Sequence, residues 1–110
     1  MDGPALHDLD AFARALLAPR VLLFKHSPVC PISAAALDEF RAFRAAHPDA
    51  PTLFVDVIAD RPTARGIADR CGVRHESPQA ILFESGLPVW HTSHDRITAE
   101  TLAAAWSPRC

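Results

Sequence analysis

The sequence predicts an α/β fold: a four-stranded mixed sheet flanked by helices on both faces, with an extra helix at the amino end. Three observations lead there. Two short, largely apolar and β-branched runs, Val21-Leu22-Leu23-Phe24 and Thr52-Leu53-Phe54-Val55-Asp56-Val57, bracket a long amphipathic stretch. Such runs are typical of strands covered on both faces. A strand–helix–strand unit of this kind makes the two strands parallel, with a right-handed crossover. A third run, Gln79-Ala80-Ile81-Leu82-Phe83, meets the tight turn Glu84-Ser85-Gly86 and returns over Pro88 to Thr92, so the last pair is antiparallel.

The first helix rests on Leu9, Phe12, Ala13, Leu16 and Leu17, which recur at helical spacing and share one stripe. Asp8 is its expected N-cap, and Pro19 ends the run. The long helix runs from Pro31 to about His47, with Ile32, Ala36, Leu37, Phe40 and Phe43 on its apolar side and Pro48 marking its end. Pro62 opens the third helix at a position that suits the first turn, and Gly72 closes it. Thr98 caps the last helix, with Ile97 before it and Leu102 after it spaced as a hydrophobic staple. The order α-β-α-β-α-β-β-α is that of the thioredoxin-like fold with an extra N-terminal helix. No repeat or linker interrupts the chain, so residues 1–110 are expected to form a single domain of that fold.

Composition narrows the function. The 110 residues carry 11 basic and 13 acidic side chains, a net charge of −2, so no basic field exists to hold a nucleic-acid backbone or an anionic membrane. Hydrophobic residues make up 49%, too many for a disordered tail, yet the apolar runs are too short to span a bilayer. The opening MDGPALHDLDAF lacks a basic segment followed by an apolar one, so no signal peptide is expected. Three cysteines, Cys30, Cys71 and Cys110, cannot all pair within one chain, which points to a reducing cytoplasm rather than a disulfide-stapled scaffold.

Cys30 lies where the first strand passes into the long helix, directly before Pro31. Proline at the first helical position makes Cys30 the N-cap. Its sulfur then faces the unpaired first-turn N–H groups and the positive end of the helix dipole, and both favour thiolate over thiol. Ser33 follows one turn later on the same face, so its hydroxyl can donate a hydrogen bond to the thiolate. It occupies the place where a C-x-x-C oxidoreductase keeps its resolving cysteine. Ser77-Pro78 precedes the third strand, where fold placement favours a cis-proline beside the cysteine, with the residue before it offering backbone groups to a substrate thiol. Lys25 is either a cation near the thiolate or a snorkelling strand-end side chain. His26 reads as a packed, hydrogen-bonded imidazole. His75 and Glu76 flank the Ser77-Pro78 turn and are candidates for contact with a bound thiol.

The segments FKHSPVCPIS (Phe24 to Ser33), VDVIADRP (Val55 to Pro62), GVRHESPQAIL (Gly72 to Leu82) and VWHTSH (Val89 to His94) resemble the YtxJ-type family, the monothiol bacilliredoxins of the bacillithiol system. The resemblance runs over nearly the whole chain. It implies a thioredoxin-like protein that removes bacillithiol from mixed disulfides on S-bacillithiolated client proteins. The implied catalytic residue is Cys30, and bacillithiol or a similar low-molecular-weight thiol is a co-substrate, with no bound cofactor. Two other classes compete: an iron–sulfur carrier of the monothiol glutaredoxin type and a non-catalytic thioredoxin-like binding module. Carriers of that type usually read Cys-Gly-Phe-Ser, and Pro31 in place of glycine argues against them. Cys71, in the last turn of the third helix, reads as packing, and Cys110 as a tail thiol. His91 and His94 would face opposite sides of a strand, so no metal site is expected.

Overall fold

The computed structural model describes residues 2–107. The elements are α1 (Leu9–Ala15), β1 (Arg20–His26), α2 (Pro31–Ala46), β2 (Thr52–Asp56), α3 (Arg61–Cys71), β3 (Gln79–Glu84), β4 (Leu87–Ser93), a 3₁₀ turn (His94–Arg96) and α4 (Ala99–Trp106). The strands form one sheet in the order β2-β1-β3-β4. β1 is parallel to β2 and antiparallel to β3, and β3 is antiparallel to β4. This is the four-stranded mixed sheet expected from the apolar runs.

Alternation along β1 divides the core into two layers. Val21 and Leu23 face α1 and α3, where they meet Phe12, Ala64 and Ile67. Leu22 and Phe24 face α2 and α4, where they meet Phe40, Phe43 and Leu102. Phe24 and Phe40 stack with centroids 4.8 Å apart. The Ser85–Gly86 turn has positive φ at both residues (52° and 80°), the geometry that matches the twist of a two-residue hairpin. Gly72 ends α3 in the left-handed region at φ 72°.

Helix starts follow their local chemistry. Asp8 Oδ1 accepts the Ala11 N–H at 2.7 Å. Thr98 and Thr101 form a reciprocal capping box, and Ile97 and Leu102 both bury in the α2–α4 layer as a staple requires. Glu39 on α2 adds an acceptor for the Ala99 N–H at 2.7 Å, which locks α4 to its neighbour.

Some positions differ from the sequence pattern. α1 ends at Ala15, and the chain tightens through Leu17 N–H to Arg14 O and Ala18 N–H to Ala15 O bonds. Leu17 thereby leaves the helical stripe and is 85% exposed, and Ala13 is also exposed. Ile32 is 50% exposed because the first turn of α2 stands at the sheet's end, where no element covers it. Pro62 is the second residue of α3, after Arg61. The segment before α1 also pairs: Phe54 N–H donates to Pro4 O and Leu6 N–H to Phe54 O, which covers the outer edge of β2 and buries Leu6.

The layers give a stability contrast. Phe40→Ala removes a stacked, fully buried ring and is expected to cost about 3–5 kcal/mol, whereas Leu17→Ala should stay within about 0.5 kcal/mol. Urea unfolding of the two variants measures both, and equal losses would contradict this division of the core.

Candidate active site

Three chain segments converge at one end of the sheet. Because β1 is parallel to β2 and antiparallel to β3, the carboxyl ends of β1 and β2 lie beside the amino end of β3. The register makes this explicit: His26 pairs with Asp56, and Lys25 with both Val55 and Gln79. Each strand delivers a loop there: Ser27 to Cys30 after β1, Val57 to Asp60 after β2, and Arg74 to Pro78 before β3.

Cys30 is the N-cap of α2, with extended φ and ψ (−108°, 121°), and Pro31 opens the helix. Its N–H donates to Ser27 O at 3.2 Å, and its carbonyl accepts the first helical bond from Ala34 at 3.0 Å. Its side chain makes no capping hydrogen bond, and the residue is partly exposed. Val29 (78% exposed) directly precedes Cys30, and Ile32, also exposed, follows two residues later.

Ser33 is fully buried, and its hydroxyl is engaged away from Cys30. Ser33 Oγ accepts the Ser27 N–H at 2.9 Å and lies 2.8 Å from His26 Nδ1. The expected hydrogen bond from Ser33 to the Cys30 sulfur is not formed. The serine instead ties the β1–α2 turn to the end of β1. His26 is packed as the sequence suggested, with ring centroids 6.0 Å from Phe24 and 5.7 Å from Phe54. Burial holds its pKa below the ordinary imidazole value, against the opposing pull of Asp56 and Asp2.

Lys25 points to the opposite face and does not snorkel: it is fully buried. Its amine donates to Gln79 Oε1 at 2.9 Å, a side-chain bond between register partners. Gln79 Nε2 donates to Arg74 O at 3.0 Å, and Gln79 Oε1 also accepts the Glu76 N–H at 3.4 Å. Strand β1 therefore holds the loop before β3 through one buried glutamine. Desolvation lowers the Lys25 pKa to about 8, against the attraction of Cys71 and Glu76.

The Ser77–Pro78 peptide is cis, and Pro78 O accepts the His94 N–H at 3.0 Å. Ser77 Oγ is buried with no hydrogen-bond partner among the described residues. His75 and Glu76 part ways. His75 lines the cleft with Ser27, Ile58, Arg61, Arg65 and Ser77. The Glu76 carboxyl is held low chiefly by a hydrogen bond from Ser93, with help from His94, Arg74 and His91, which sets it toward β4.

Cys71 is partly buried against the α1–α3 layer, and Cys110 lies outside the described residues. Among the described residues no group of three or more His, Cys, Asp or Glu side chains could hold a metal ion, and no helix is long and apolar enough to cross a membrane. Sequence reasoning gave no role to Ile58, Arg61 and Arg65; Ile58 and Arg61 lie within the VDVIADRP segment, and Arg65 one turn further along α3.

A β2-β1-β3-β4 sheet with a cis-proline leading its third strand, between two helical layers, defines a protein of thioredoxin fold. Solved structures agree. A thioredoxin-fold protein described as a candidate oxidoreductase is similar at 34% identity and a TM-score of 0.88, over 96% of this chain and 95% of that one. Mitochondrial thioredoxin 3 of Saccharomyces cerevisiae (16% identity, TM-score 0.75, 94% of this chain and 92% of that one) and thioredoxin of Trypanosoma brucei brucei (14%, 0.75, 93% and 85%) share the fold. The model of the monothiol bacilliredoxin BrxC family matches residues 5–102, and the chain belongs to that family.

Lys25 supplies a pH test. Its folded pKa of about 8 lies below the ordinary 10.5, so between those values the unfolded chain binds more protons and stability rises with pH. From pH 8 to 10.5 wild type should gain up to about 3 kcal/mol relative to Lys25→Met, read by urea unfolding at both pH values. A constant difference would mean that the amine is solvated in the folded protein.

Proposed function

We propose that this protein is a monothiol thiol–disulfide oxidoreductase of the cytoplasm that removes bacillithiol, or a similar low-molecular-weight thiol, from mixed disulfides on client proteins. The observation that carries this reading is Cys30 at the N-cap of α2, partly exposed, with a buried serine at i+3. The first-turn N–H groups have no side-chain acceptor from the N-cap and can hold negative charge on the sulfur. The serine bonds to the turn and cannot form a disulfide. Membership of the monothiol bacilliredoxin family supports the choice of bacillithiol.

The reaction is thiol–disulfide exchange. The Cys30 thiolate attacks the small-thiol sulfur of the mixed disulfide. The bond to the client sulfur breaks, and the client leaves as a thiolate that takes up a proton. Cys30 now carries the small thiol as a mixed disulfide. A second small-thiol molecule, as its thiolate, attacks that adduct, forms the small-molecule disulfide and regenerates the Cys30 thiolate. One client disulfide is reduced for each small-molecule disulfide made. In this reading Pro31 sets the helix start, Ser33 and His26 brace the turn, Lys25 braces the loop before β3 through Gln79, and Ser77–Pro78 with His75 frames the incoming disulfide, while Glu76, held by Ser93, stands aside from it.

The test is release of free thiol from a bacillithiolated client, followed with intact mass of the enzyme. Wild type should acquire one bacillithiol adduct on Cys30. Cys30→Ser should lose at least about a hundredfold in rate, while Cys71→Ser keeps the wild-type rate. An adduct confined to Cys71 or Cys110 would overturn the reading.

A further inference from the structure

Beside the cysteine turn lies a cleft of about 340 Å³, lined by Ser27, Val57, Ile58, Arg61, Ala64, Arg65, His75 and Ser77. Its size suits a small molecule. Ser27, the first residue of the cysteine turn, forms part of its wall, and Ser27 O accepts the Cys30 N–H at 3.2 Å. Its charge is one-sided. Arg61 and Arg65 are exposed and one helical turn apart on α3, so they share a face. No carboxylate lines the cleft, and among the described residues none forms an ion pair with either arginine.

Two nearby acids from the loop after β2 are engaged elsewhere. Asp60 meets His7 at 3.0 Å, and Asp56 Oδ1 accepts the Ile58 and Ala59 N–H groups at 2.9 Å. An independent observation comes from Ser77, whose buried hydroxyl has no partner although the residue lines the cleft. A buried hydroxyl without a partner is unfavourable, and rotation of its side chain would offer it to a ligand.

We propose that this cleft is the subsite for the carboxylate-bearing, non-thiol part of a low-molecular-weight thiol, held by Arg61 and Arg65 while its sulfur exchanges at Cys30. The assignment deepens the proposed function and rests on it. Arginine suits the role because its planar fork meets a carboxylate through two parallel N–H bonds. Ile58, 43% exposed, gives the ligand's carbon frame an apolar surface, and Ser77 gives it a hydroxyl. Burial first, and then the charges of Lys25 and Arg65, keep the nearby His75 below the ordinary imidazole value.

The test compares two disulfides in a Cys71→Ser, Cys110→Ser background, so that Cys30 alone is read. One is 5,5′-dithiobis(2-nitrobenzoate), which carries carboxylates; the other is neutral 4,4′-dithiodipyridine. In each the Cys30 thiolate forms a mixed disulfide and expels one aryl thiolate, which is measured by absorbance. The ratio of carboxylate to neutral rates should fall about tenfold in Arg61→Gln/Arg65→Gln and with added salt, and be largely retained in Arg61→Lys/Arg65→Lys. An unchanged ratio in the Gln variant would overturn the subsite while leaving exchange at Cys30 intact. If Cys30 reacts with neither disulfide, the exchange reading falls. The cleft is then decided by NMR titration of Cys30→Ser protein with N-acetyl-S-methylcysteine, a carboxylate that cannot exchange. Shifts at Arg61 and Arg65 that vanish in the Gln variant support the subsite, and their absence overturns it.

Discussion

The pairing of β1 on both edges is the constraint from which the rest of the structure follows. One neighbour is parallel and the other antiparallel, so one end of the sheet collects the carboxyl ends of β1 and β2 and the amino end of β3. The candidate thiol, the Arg61–Arg65 face and the cis-proline come from segments up to nearly fifty residues apart in sequence, yet they become neighbours by strand direction alone. Reversing either pairing would send one of these loops to the far end. The apolar run Val21–Phe24 is buried on both faces, and a one-residue slip would exchange its two core layers and carry Lys25 and His26 with them.

The last two residues of β1 show how the strand braces its surroundings. Lys25 and His26 point to opposite faces, and each reaches a different loop. His26, with Ser33, holds the turn that bears Cys30; Lys25, through Gln79, holds the loop that leads to Pro78. A buried amine is unfavourable by itself, and desolvation pulls its pKa down to about 8 against the opposing pull of Cys71 and Glu76. An apolar residue of similar volume could fill the same space, but it could not donate to the glutamine that ties down the loop. In the proposed exchange reaction this bracing keeps the two walls of the site at a set separation while the sulfur between them changes partners.

Much of the fold was legible because its signals are local. Helix periodicity, Pro31, Gly72, the Ser85–Gly86 turn and the Thr98 cap each follow from the chemistry of a few adjacent residues, and the observed elements fall within a few residues of those marks. Cys30 was legible as the N-cap for the same reason. The direction of the Ser33 hydroxyl was not: spacing alone brings it toward the cysteine, but the buried imidazole of His26 and the Ser27 N–H compete for it and win. The exposure of Leu17 depended on where α1 tightens. The cover that Pro4–Leu6 gives β2 depended on an unpaired strand edge nearly fifty residues away.

The sequence by itself determined the class of fold, the order of its elements and the placement of one cysteine at a helix start, because periodicity, capping and turn chemistry act over a few residues. It also carried the family resemblance, through segments spread over nearly the whole chain. Only the tertiary structure decided which polar groups meet. It buried Lys25 against Gln79, turned Ser33 toward His26, set Glu76 toward Ser93 and brought Arg61 and Arg65 to the cleft beside the cysteine turn. Those contacts join residues from different strands and helices, and strand direction and register, rather than sequence spacing, fix their separation.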